Sequence, residues 1–310
     1  MAHPFRFGLQ LSSAAGAAEW RRVARDAEAL GYSTLFVPDH FDDQFGPLVA
    51  LTVAAEATST LRVGALVLGN DYRHPVVVAK ELATLDVLSG GRLEVGLGAG
   101  WMTSDYEASG IVLDPPATRI ARMAESLEVI KALWSGEPVT FSGAHYRITG
   151  LTGTPRPVQR PHPPIIVGGG GRRVLSLAAR CADIVGVNPS LAAGAVGPEV
   201  VATTTAEHYD ERVAWVREAA GDRADELELQ CLTFLVQVVD DREVAIAGLA
   251  ELFSFDPAVV ARSPVALVGT VEEIVATLEE RRRRFGFSYV VVHEAELEAF
   301  APVVAALAGT

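Results

Sequence analysis

Short apolar segments alternate with longer segments in which apolar residues recur every three or four positions, along the whole chain. The short segments are apolar or β-branched at nearly every position, which is typical of parallel strands buried on both faces. The segments that we assign as strands are residues 5–11, 34–37, 61–68, 93–97, 164–167, 183–187, 227–238 and 289–292. This alternation predicts a parallel sheet covered by helices.

The intervening segments carry helix signals. Residues 118–134 place their apolar side chains at steps of three and four, which gives one buried face. Pro75 and the pair Gly90-Gly91 stand at the start and the end of another helix, in the usual order of proline first and glycine last. Thr270 followed three residues later by Glu273 is a capping box. These helices lie between predicted strands, as a βα repeat requires.

Eight βα units within 310 residues predict a single (β/α)8 TIM barrel, with an open doubly wound sheet as the competing fold. Residues 135–162, 188–203 and 240–264 exceed what a minimal barrel needs. None of them carries enough continuous apolar pattern to form a core of its own. We therefore expect one domain over residues 1–310, with these three segments as insertions.

The excess of acidic over basic residues limits the kinds of partner that the protein can bind. The net charge of −13 would repel the phosphates of nucleic acid and an anionic membrane surface. No apolar stretch approaches the ~20 residues that span a bilayer, and the first residues do not have the pattern of a secretory signal. The only cysteines, Cys181 and Cys231, lie in apolar stretches, which favours buried thiols. We expect a cytoplasmic protein without nucleic-acid or membrane partners.

In a barrel of this kind the catalytic groups follow the carboxyl ends of the strands. Polar residues and glycines occupy these positions after the second to fifth predicted strands, namely residues 38–41, 69–75, 98–101 and 168–173. We expect Asp39, Asn70, Gly98 and Gly168 to line one common mouth. Gly168 to Gly171 are consecutive glycines before a helix, a pattern that favours an anion cradle of backbone N–H groups. A permissive turn is the alternative.

Two further patterns concern the chemistry. Residues 96–100 have the sequence Gly-Leu-Gly-Ala-Gly, in which the third glycine does not stand at the offset that a nicotinamide-binding fingerprint requires. We therefore interpret them as a strand end without side chains, which a flat ring can approach. His40 is the best candidate for acid or base chemistry because imidazole titrates near neutrality, although a structural histidine is the alternative. The remaining histidines are scattered, and no compact ligand set for a metal is visible.

Several motifs in order along the chain resemble the luciferase-like monooxygenase superfamily, and within it the coenzyme F420-dependent oxidoreductases. The segments that carry the resemblance are residues 31–41, 73–92, 96–101, 125–136 and 163–169. The pair Asp39-His40 resembles the deazaflavin branch and favours F420 over FMN as the cofactor. The resemblance covers almost the whole chain and implies a flavin- or deazaflavin-binding barrel.

The resemblance also implies roles for individual residues. Asp39 would orient the cofactor, with His40 as the catalytic residue facing the reacting edge of its ring. The end of the third strand would support the ring from behind, through a non-prolyl cis peptide within Leu66-Val67-Leu68. The residues that the resemblance places at the cofactor are Asp39, Leu66, Val67, Gly69, Asn70, Gly98, Gly100 and Ser104, with Gly168, Gly169 and Gly170 on the phosphate side. Arg172 or Arg173 would add positive charge there.

One departure from the resemblance concerns the substrate. Some members that oxidise sugar phosphates carry an acidic residue just after the Gly-x-Gly of the fourth strand, where this chain has Trp101 and Met102. This argues against a sugar phosphate and indicates a more apolar pocket. The leading hypothesis is an F420-dependent oxidoreductase that transfers a hydride between the deazaflavin and a small organic molecule, and the expected assembly is a homodimer. The alternatives are an FMN-dependent monooxygenase and a non-catalytic flavin- or deazaflavin-binding protein.

Overall fold

The computed structural model describes residues 3–253 and 255–310. Met1 and Ala2 of the predicted domain, and Ser254 of its third insertion, lie outside the described residues. The strands are β1 (Arg6–Gln10), β2 (Thr34–Val37), β3 (Arg62–Ala65), β4 (Leu68–Gly69), β5 (Leu93–Gly98), β6 (Pro138–Ser142), β7 (Arg147–Thr152), β8 (Ile165–Gly169), β9 (Ile184–Val187), β10 (Glu228–Leu232), β11 (Leu235–Val238), β12 (Ala266–Gly269) and β13 (Phe287–His293). The α-helices are α1 (Ala17–Ala29), α2 (Pro47–Ala57), α3 (Pro75–Leu88), α4 (Thr103–Ser109), α5 (Pro116–Trp134), α6 (Arg172–Cys181), α7 (Pro198–Val201), α8 (Ala206–Ala220), α9 (Arg242–Phe253), α10 (Pro257–Arg262), α11 (Val271–Phe285) and α12 (Ala301–Leu307).

The main sheet is a closed parallel barrel. Its strands follow the order β3-β2-β1-β13-β10-β9-β8-β5-β4, and a further pairing of β3 with β5 closes the ring. Since β3 and β4 are the two halves of one interrupted strand, the barrel has eight strand positions, each filled by one of the predicted segments. The predicted (β/α)8 barrel is therefore confirmed, and the open doubly wound sheet is not the fold.

Two strands differ from the prediction. The apolar run 227–238 contains two strands, β10 in the barrel and β11 in a separate parallel pair with β12, which was not assigned as a strand. The chain changes partner at Thr233, whose N–H and hydroxyl both donate to the carbonyl of Val291, while the N–H of Phe234 donates to the carbonyl of Val265. The apolar pattern continues through this change because Val236 of β11 and all four residues of β12 are buried as well.

The three predicted insertions have different structures. The first contains the antiparallel pair β6–β7, the second contains the short helix α7, and the third contains α9 and α10. Ile246, Leu249 and Ala250 of α9 pack with Val260 and Val268 in a small apolar cluster separate from the main core. This cluster includes Val268 of β12, which lies outside the third insertion, so it joins the insertion to the pair β11–β12. The expectation of one domain with three insertions stays a prediction.

Charged residues close the end of the barrel where the strands begin. Glu94 at the start of β5 is buried and accepts hydrogen bonds from Arg6 on β1, from Arg62 on β3 at 2.8 Å, and from the Tyr289 hydroxyl at 3.0 Å. Arg6 also pairs with Glu228 at the start of β10. A buried charge is tolerated when it is paired and hydrogen-bonded in this way, so this end of the barrel serves stability. The opposite end is left for the functional site.

The third strand bulges at the functional end. The Leu66–Val67 peptide bond is cis, which confirms the non-prolyl cis peptide predicted within residues 66–68. A Cβ atom on Gly96 would lie 2.0 Å from the carbonyl oxygen of Ala65, and one on Gly98 would lie 2.5 Å from Cγ2 of Val67. These two positions in β5 have no side chain, so the bulge can pack against them. The interpretation that the strand end leaves room for a flat ring stays a prediction.

Candidate active site

A cavity of about 1040 Å³ opens at the carboxyl ends of the barrel strands. Ten of the twelve predicted site residues line it: Asp39, His40, Leu66, Val67, Gly69, Gly98, Gly100, Gly168, Gly169 and Gly170. Residues that follow the second, third, fourth and fifth barrel positions thus meet at one mouth, as a parallel barrel requires.

Two predicted site residues do not line the cavity. Asn70 is buried at the start of a 3₁₀ turn formed by residues 70–72, and the cavity is lined instead by Tyr72 at the end of that turn. Ser104 is exposed in the first turn of α4, whereas its neighbour Thr103 faces the cavity. Successive side chains on a helix point about 100° apart, so a one-residue difference changes the face. Asn70 and Ser104 thus stand next to residues that line the cavity, and their predicted contacts with a cofactor stay predictions.

His40 is oriented by an acidic residue that the sequence analysis did not single out. Its Nδ1 lies 2.6 Å from Oδ2 of Asp105, which is buried in the first turn of α4. The Tyr72 hydroxyl donates to the same Asp105 oxygen at 3.1 Å, and Trp101 packs edge-on against the imidazole with ring centroids 5.7 Å apart. A carboxylate on Nδ1 places the other ring nitrogen, Nε2, away from Asp105 and available for chemistry.

Tyr72 keeps its proton in this arrangement. Burial, followed by the nearby Asp105 carboxylate, raises the pKa of Tyr72 above its ordinary value. A protonated phenol is a hydrogen-bond donor, so Tyr72 holds in place the Asp105 oxygen that contacts His40. The three side chains Tyr72, Asp105 and His40 form one chain of hydrogen bonds that ends at the cavity.

Asp39 is engaged with a different partner. Its two carboxylate oxygens accept hydrogen bonds from both terminal nitrogens of Arg73, and one of them also accepts from the N–H of Gly69 at 2.9 Å. Asp39 therefore joins the end of β2 to the end of the bulged strand and does not contact His40 through its side chain. The carboxylate that contacts the imidazole of His40 is that of Asp105.

The glycine loop after β8 leads into α6 with an uncapped amino end. Gly171 is the N-cap residue of α6, and no side chain accepts a hydrogen bond from the first N–H groups of the helix. Cβ atoms on Gly169 and Gly170 would lie 2.2 Å from Val174 and 2.1 Å from the carbonyl oxygen of Pro189, whereas one on Gly171 meets nothing within 4 Å. Free N–H groups and the helix dipole make this end a favourable place for an anion.

The two arginines after the glycine loop are not part of the cavity wall. Arg172 is exposed and forms an ion pair at 2.9 Å with Glu218 on α8. Arg173 is also exposed, and neither residue lines the cavity. The backbone of the loop, and not these side chains, supplies the positive potential that faces the cavity.

Amide side chains on three further barrel positions line the cavity and were missed by the sequence analysis. Gln10 ends β1, Asn188 follows β9, and Gln230 lies within β10. Oδ1 of Asn188 and Nε2 of Gln230 are buried and have no hydrogen-bond partner within the described chain. A buried polar atom without a partner costs free energy, so both atoms fit a bound ligand with a donor and an acceptor. For Gln10 and Asn188 the available signal was a polar residue at the end of an apolar strand.

His293 ends β13 and also lines the cavity. Its backbone N–H donates to the Glu296 carboxylate at 3.1 Å, at the start of the turn that follows β13. Burial lowers the pKa of His293 below its ordinary value, although hydrogen bonding to the backbone at Thr233 opposes this. His293 is therefore neutral in the folded protein near pH 7 and serves to cap the turn that follows β13.

We expect the stability of the protein to fall as the pH is lowered from 7 to 5, partly through His293. Its lowered pKa means that the unfolded chain binds a proton at a pH where the folded chain does not, so protonation favours unfolding. The contribution is a fraction of the about 1.4 kcal/mol per pH unit that one proton can supply. Urea unfolding of the parent and of His293→Gln at both pH values checks this. Equal losses in the two proteins would contradict it.

The family follows from a comparison with known proteins. Residues 1–264 match the model of the luciferase-like monooxygenase family, so the chain belongs to this family. The F420-dependent tetrahydromethanopterin reductase of Methanopyrus kandleri has the same fold, with a TM-score of 0.77 and 21% identity over 98% of this chain and 100% of that chain.

Two relatives of assigned activity use different cofactors. The F420-dependent glucose-6-phosphate dehydrogenase of Nakamurella multipartita is 32% identical over 252 residues, which are 78% of this chain and 70% of that protein. The FMNH2-dependent dimethylsulfone monooxygenase of Pseudomonas putida is 31% identical over 169 residues, which are 53% of this chain and 46% of that protein. An uncharacterized protein of Mycobacterium tuberculosis is 34% identical over 185 residues, and the match spans 64% of its length.

The described residues hold neither a membrane span nor a metal cluster. None of the helices between residues 3 and 310, Ser254 apart, is long and apolar enough to cross a bilayer. Within the same ranges, no group of three or more His, Cys, Asp or Glu residues lies close enough together to hold a metal ion. Cys231 is buried and Cys181 is half-buried, and both are free thiols.

Proposed function

We propose that the protein is an F420-dependent oxidoreductase that acts on a small organic substrate. The observation that carries the proposal is that one cavity combines an uncapped helix end, suited to an anion, with a histidine oriented by a buried carboxylate. A bound deazaflavin would supply hydride-transfer chemistry, which no side chain provides. The dehydrogenase of Nakamurella multipartita, which is similar to 78% of this chain, depends on F420.

The residues of the cavity fit such a cofactor at its anionic tail. The N–H groups around Gly171 lack a side-chain acceptor, and Gly171 itself leaves open space in front of them. A phosphate group accepts several hydrogen bonds at once and is stabilised by the positive end of a helix dipole. Gly168 to Gly171 would therefore hold the phosphate of the tail, as the resemblance implies.

The residues also fit the polar edge of a flavin-like ring. The buried Nε2 of Gln230 donates and the buried Oδ1 of Asn188 accepts, and neither has a partner in the described chain. A ring that carries both carbonyl and N–H groups on one edge satisfies a donor and an acceptor together. Leu66 and Val67 provide the apolar surface against which the flat face of such a ring would pack.

His40 would act on the substrate at the reacting centre. With Nδ1 held by Asp105, its Nε2 is free to exchange a proton or a hydrogen bond with an oxygen atom of the substrate. The Asp105 carboxylate stabilises the imidazolium that forms when His40 takes up a proton. Tyr72 keeps that carboxylate in place, so His40 changes its protonation state without reorientation.

An FMN-dependent monooxygenase is the second candidate. The observation in its favour is the similarity to FMNH2-dependent dimethylsulfone monooxygenases, which covers 53% of this chain for the enzyme of Pseudomonas putida and 76% for that of Pseudomonas fluorescens. An FMN phosphate would use the same glycine loop, so the loop does not distinguish the two cofactors. The Asp39-His40 pair, which resembles the deazaflavin branch, favours F420.

Parallel binding titrations test this proposal. We expect the fluorescence of F420 to be quenched when it binds to the protein. F420 should bind at least about tenfold more tightly than FMN, a difference of about 1.4 kcal/mol in binding free energy. FAD and NADPH are the controls, because the glycine pattern of residues 96–100 is not a nicotinamide fingerprint. Tighter binding of FMN than of F420 would favour the monooxygenase, and binding of neither would overturn the proposal.

A further inference from the structure

The cavity walls differ in polarity from one side to the other. The barrel ends and the glycine loop carry most of the polar groups described above. The second and third insertions and the residues after β10 contribute mainly apolar side chains, with Ser190, Thr204 and Ser263 as uncharged polar ones. We call this second region the insertion chamber and define it by Leu191, Val196, Val200, Phe234, Leu235 and Val259. Val196 is 69% exposed and Phe234 is 44% exposed, so apolar surface remains uncovered there.

The insertion chamber lacks charged side chains. Among the described residues of segments 188–204 and 234–265, none of those that line the cavity is charged. The chain has only two lysines, Lys80 and Lys131, which donate to the carbonyls of Thr154 and Cys181 and do not line the cavity. An anion bound in this region would lose its water without gaining a counter-charge, which is unfavourable.

One cation does line the cavity, but it belongs to another wall. Arg119 lies on α5, where its Nε donates to the carbonyl of Asp114 and its Nη1 donates to the carbonyls of Ala99 and Gly100. These bonds fix the loop that carries Trp101 after β5. Arg119 thus supports the side of the cavity near His40 and leaves the insertion chamber without positive charge.

We propose that the insertion chamber binds the hydrocarbon part of an apolar substrate whose single polar group faces His40. The apolar lining of the chamber supports the binding of a hydrocarbon chain. The placement of the substrate's polar group at His40 rests on the proposed function. A cavity of about 1040 Å³ is large for a single small molecule, so a cofactor and a hydrocarbon chain fit in it together. A sugar phosphate does not match the chamber, although the relative from Nakamurella multipartita is named for one.

Calorimetric titration with straight-chain primary alcohols from butanol to decanol tests the chamber directly. Each added methylene should tighten binding by about fourfold, the factor that corresponds to burying one methylene group. Glucose 6-phosphate is the polar comparison and should show no saturable binding. The titrations are performed on the full chain with and without F420. The alcohols should bind in both conditions, because the side chains of the chamber and not the cofactor hold them.

A matched pair of variants tests the location. Val196→Asp places a carboxylate on the chamber wall at an exposed position, and it should weaken octanol binding by about tenfold or more. Val244→Asp is the control, because Val244 is 67% exposed on α9 of the third insertion and does not line the cavity. Octanol affinity should be unchanged in this control, and F420 affinity should be unchanged in both variants.

Three results would overturn the inference. They are an alcohol affinity that does not depend on chain length, tighter binding of glucose 6-phosphate than of octanol, or equal octanol affinity in Val196→Asp and the parent. Failure of the proposed function looks different. In that case F420 does not bind, while the alcohols still bind with the expected dependence on chain length.

Discussion

Replacing His40 with alanine should lower kcat by about 10²- to 10⁴-fold, the usual contribution of a general acid or base. The affinity for F420 should stay within a few-fold, because the proposed contacts of the cofactor are with the glycine loop and the amide side chains. The loss is expected in kcat more than in KM, since the histidine is needed while charge develops on the substrate. Stopped-flow absorbance of bound F420, with a substrate that the parent turns over, measures it.

Two variants make the His40 result specific. His74 is exposed, caps α3 by accepting from the N–H of Val76, and does not line the cavity, so His74→Ala should keep nearly full activity. Asp105→Asn should lower kcat and shift its pH profile, because an amide supports the imidazolium less well than a carboxylate. Near-parental turnover in His40→Ala, or an equal loss in His74→Ala, would remove the chemical role of His40.

Replacing Gly171 with aspartate should weaken F420 binding by about 10²-fold or more, because two or more charge-assisted hydrogen bonds to phosphate are lost and a like charge is added. The new carboxylate has room, since nothing lies within 4 Å of a Cβ atom at this position. Aspartate is also a favoured N-cap residue, so the melting temperature should stay the same or rise. Weaker F420 binding without a lower melting temperature would show that the substitution acts on the anion site and not on the fold.

The neutral variant Gly171→Asn is the matched control for charge. Asparagine caps a helix about as well as aspartate but does not repel phosphate, so its effect on F420 affinity should be clearly smaller. Gly169→Asp is a poorer test, because a Cβ atom there would lie 2.2 Å from Cγ1 of Val174 and would disturb α6 itself. Parental F420 affinity in Gly171→Asp would mean that the anionic tail binds elsewhere.

The barrel could be predicted from the sequence because burial on both faces makes each strand apolar throughout. The same feature hid the end of β10, since residues 227–238 stay apolar while the chain moves from the barrel to the pair β11–β12. The strand β12 and the cluster around Ile246 depend on this pairing across the third insertion. Periodicity reports the local environment of a segment and does not report which segment it pairs with.

The sequence predicted those residues of the site that directly follow the barrel strands. Asp39, His40 and Gly168 were placed at one mouth by the rule that parallel strands end together. The contact between His40 and Asp105 joins residues that are 65 positions apart and depends on how α4 turns after β5. Gln230 was missed because it lies inside an apolar strand, where one amide does not change the pattern.

A crystal structure of the complex with F420 is the most direct test of the central claim, that the glycine loop and His40 serve the two ends of one deazaflavin site. The claim predicts the phosphate of the tail within hydrogen-bond distance of backbone N–H groups between Gly168 and Arg173. It also predicts that the reacting edge of the ring lies beside His40, next to the cis peptide at Leu66–Val67. A phosphate bound away from the glycine loop, or a ring with its reacting edge turned away from His40, would contradict it.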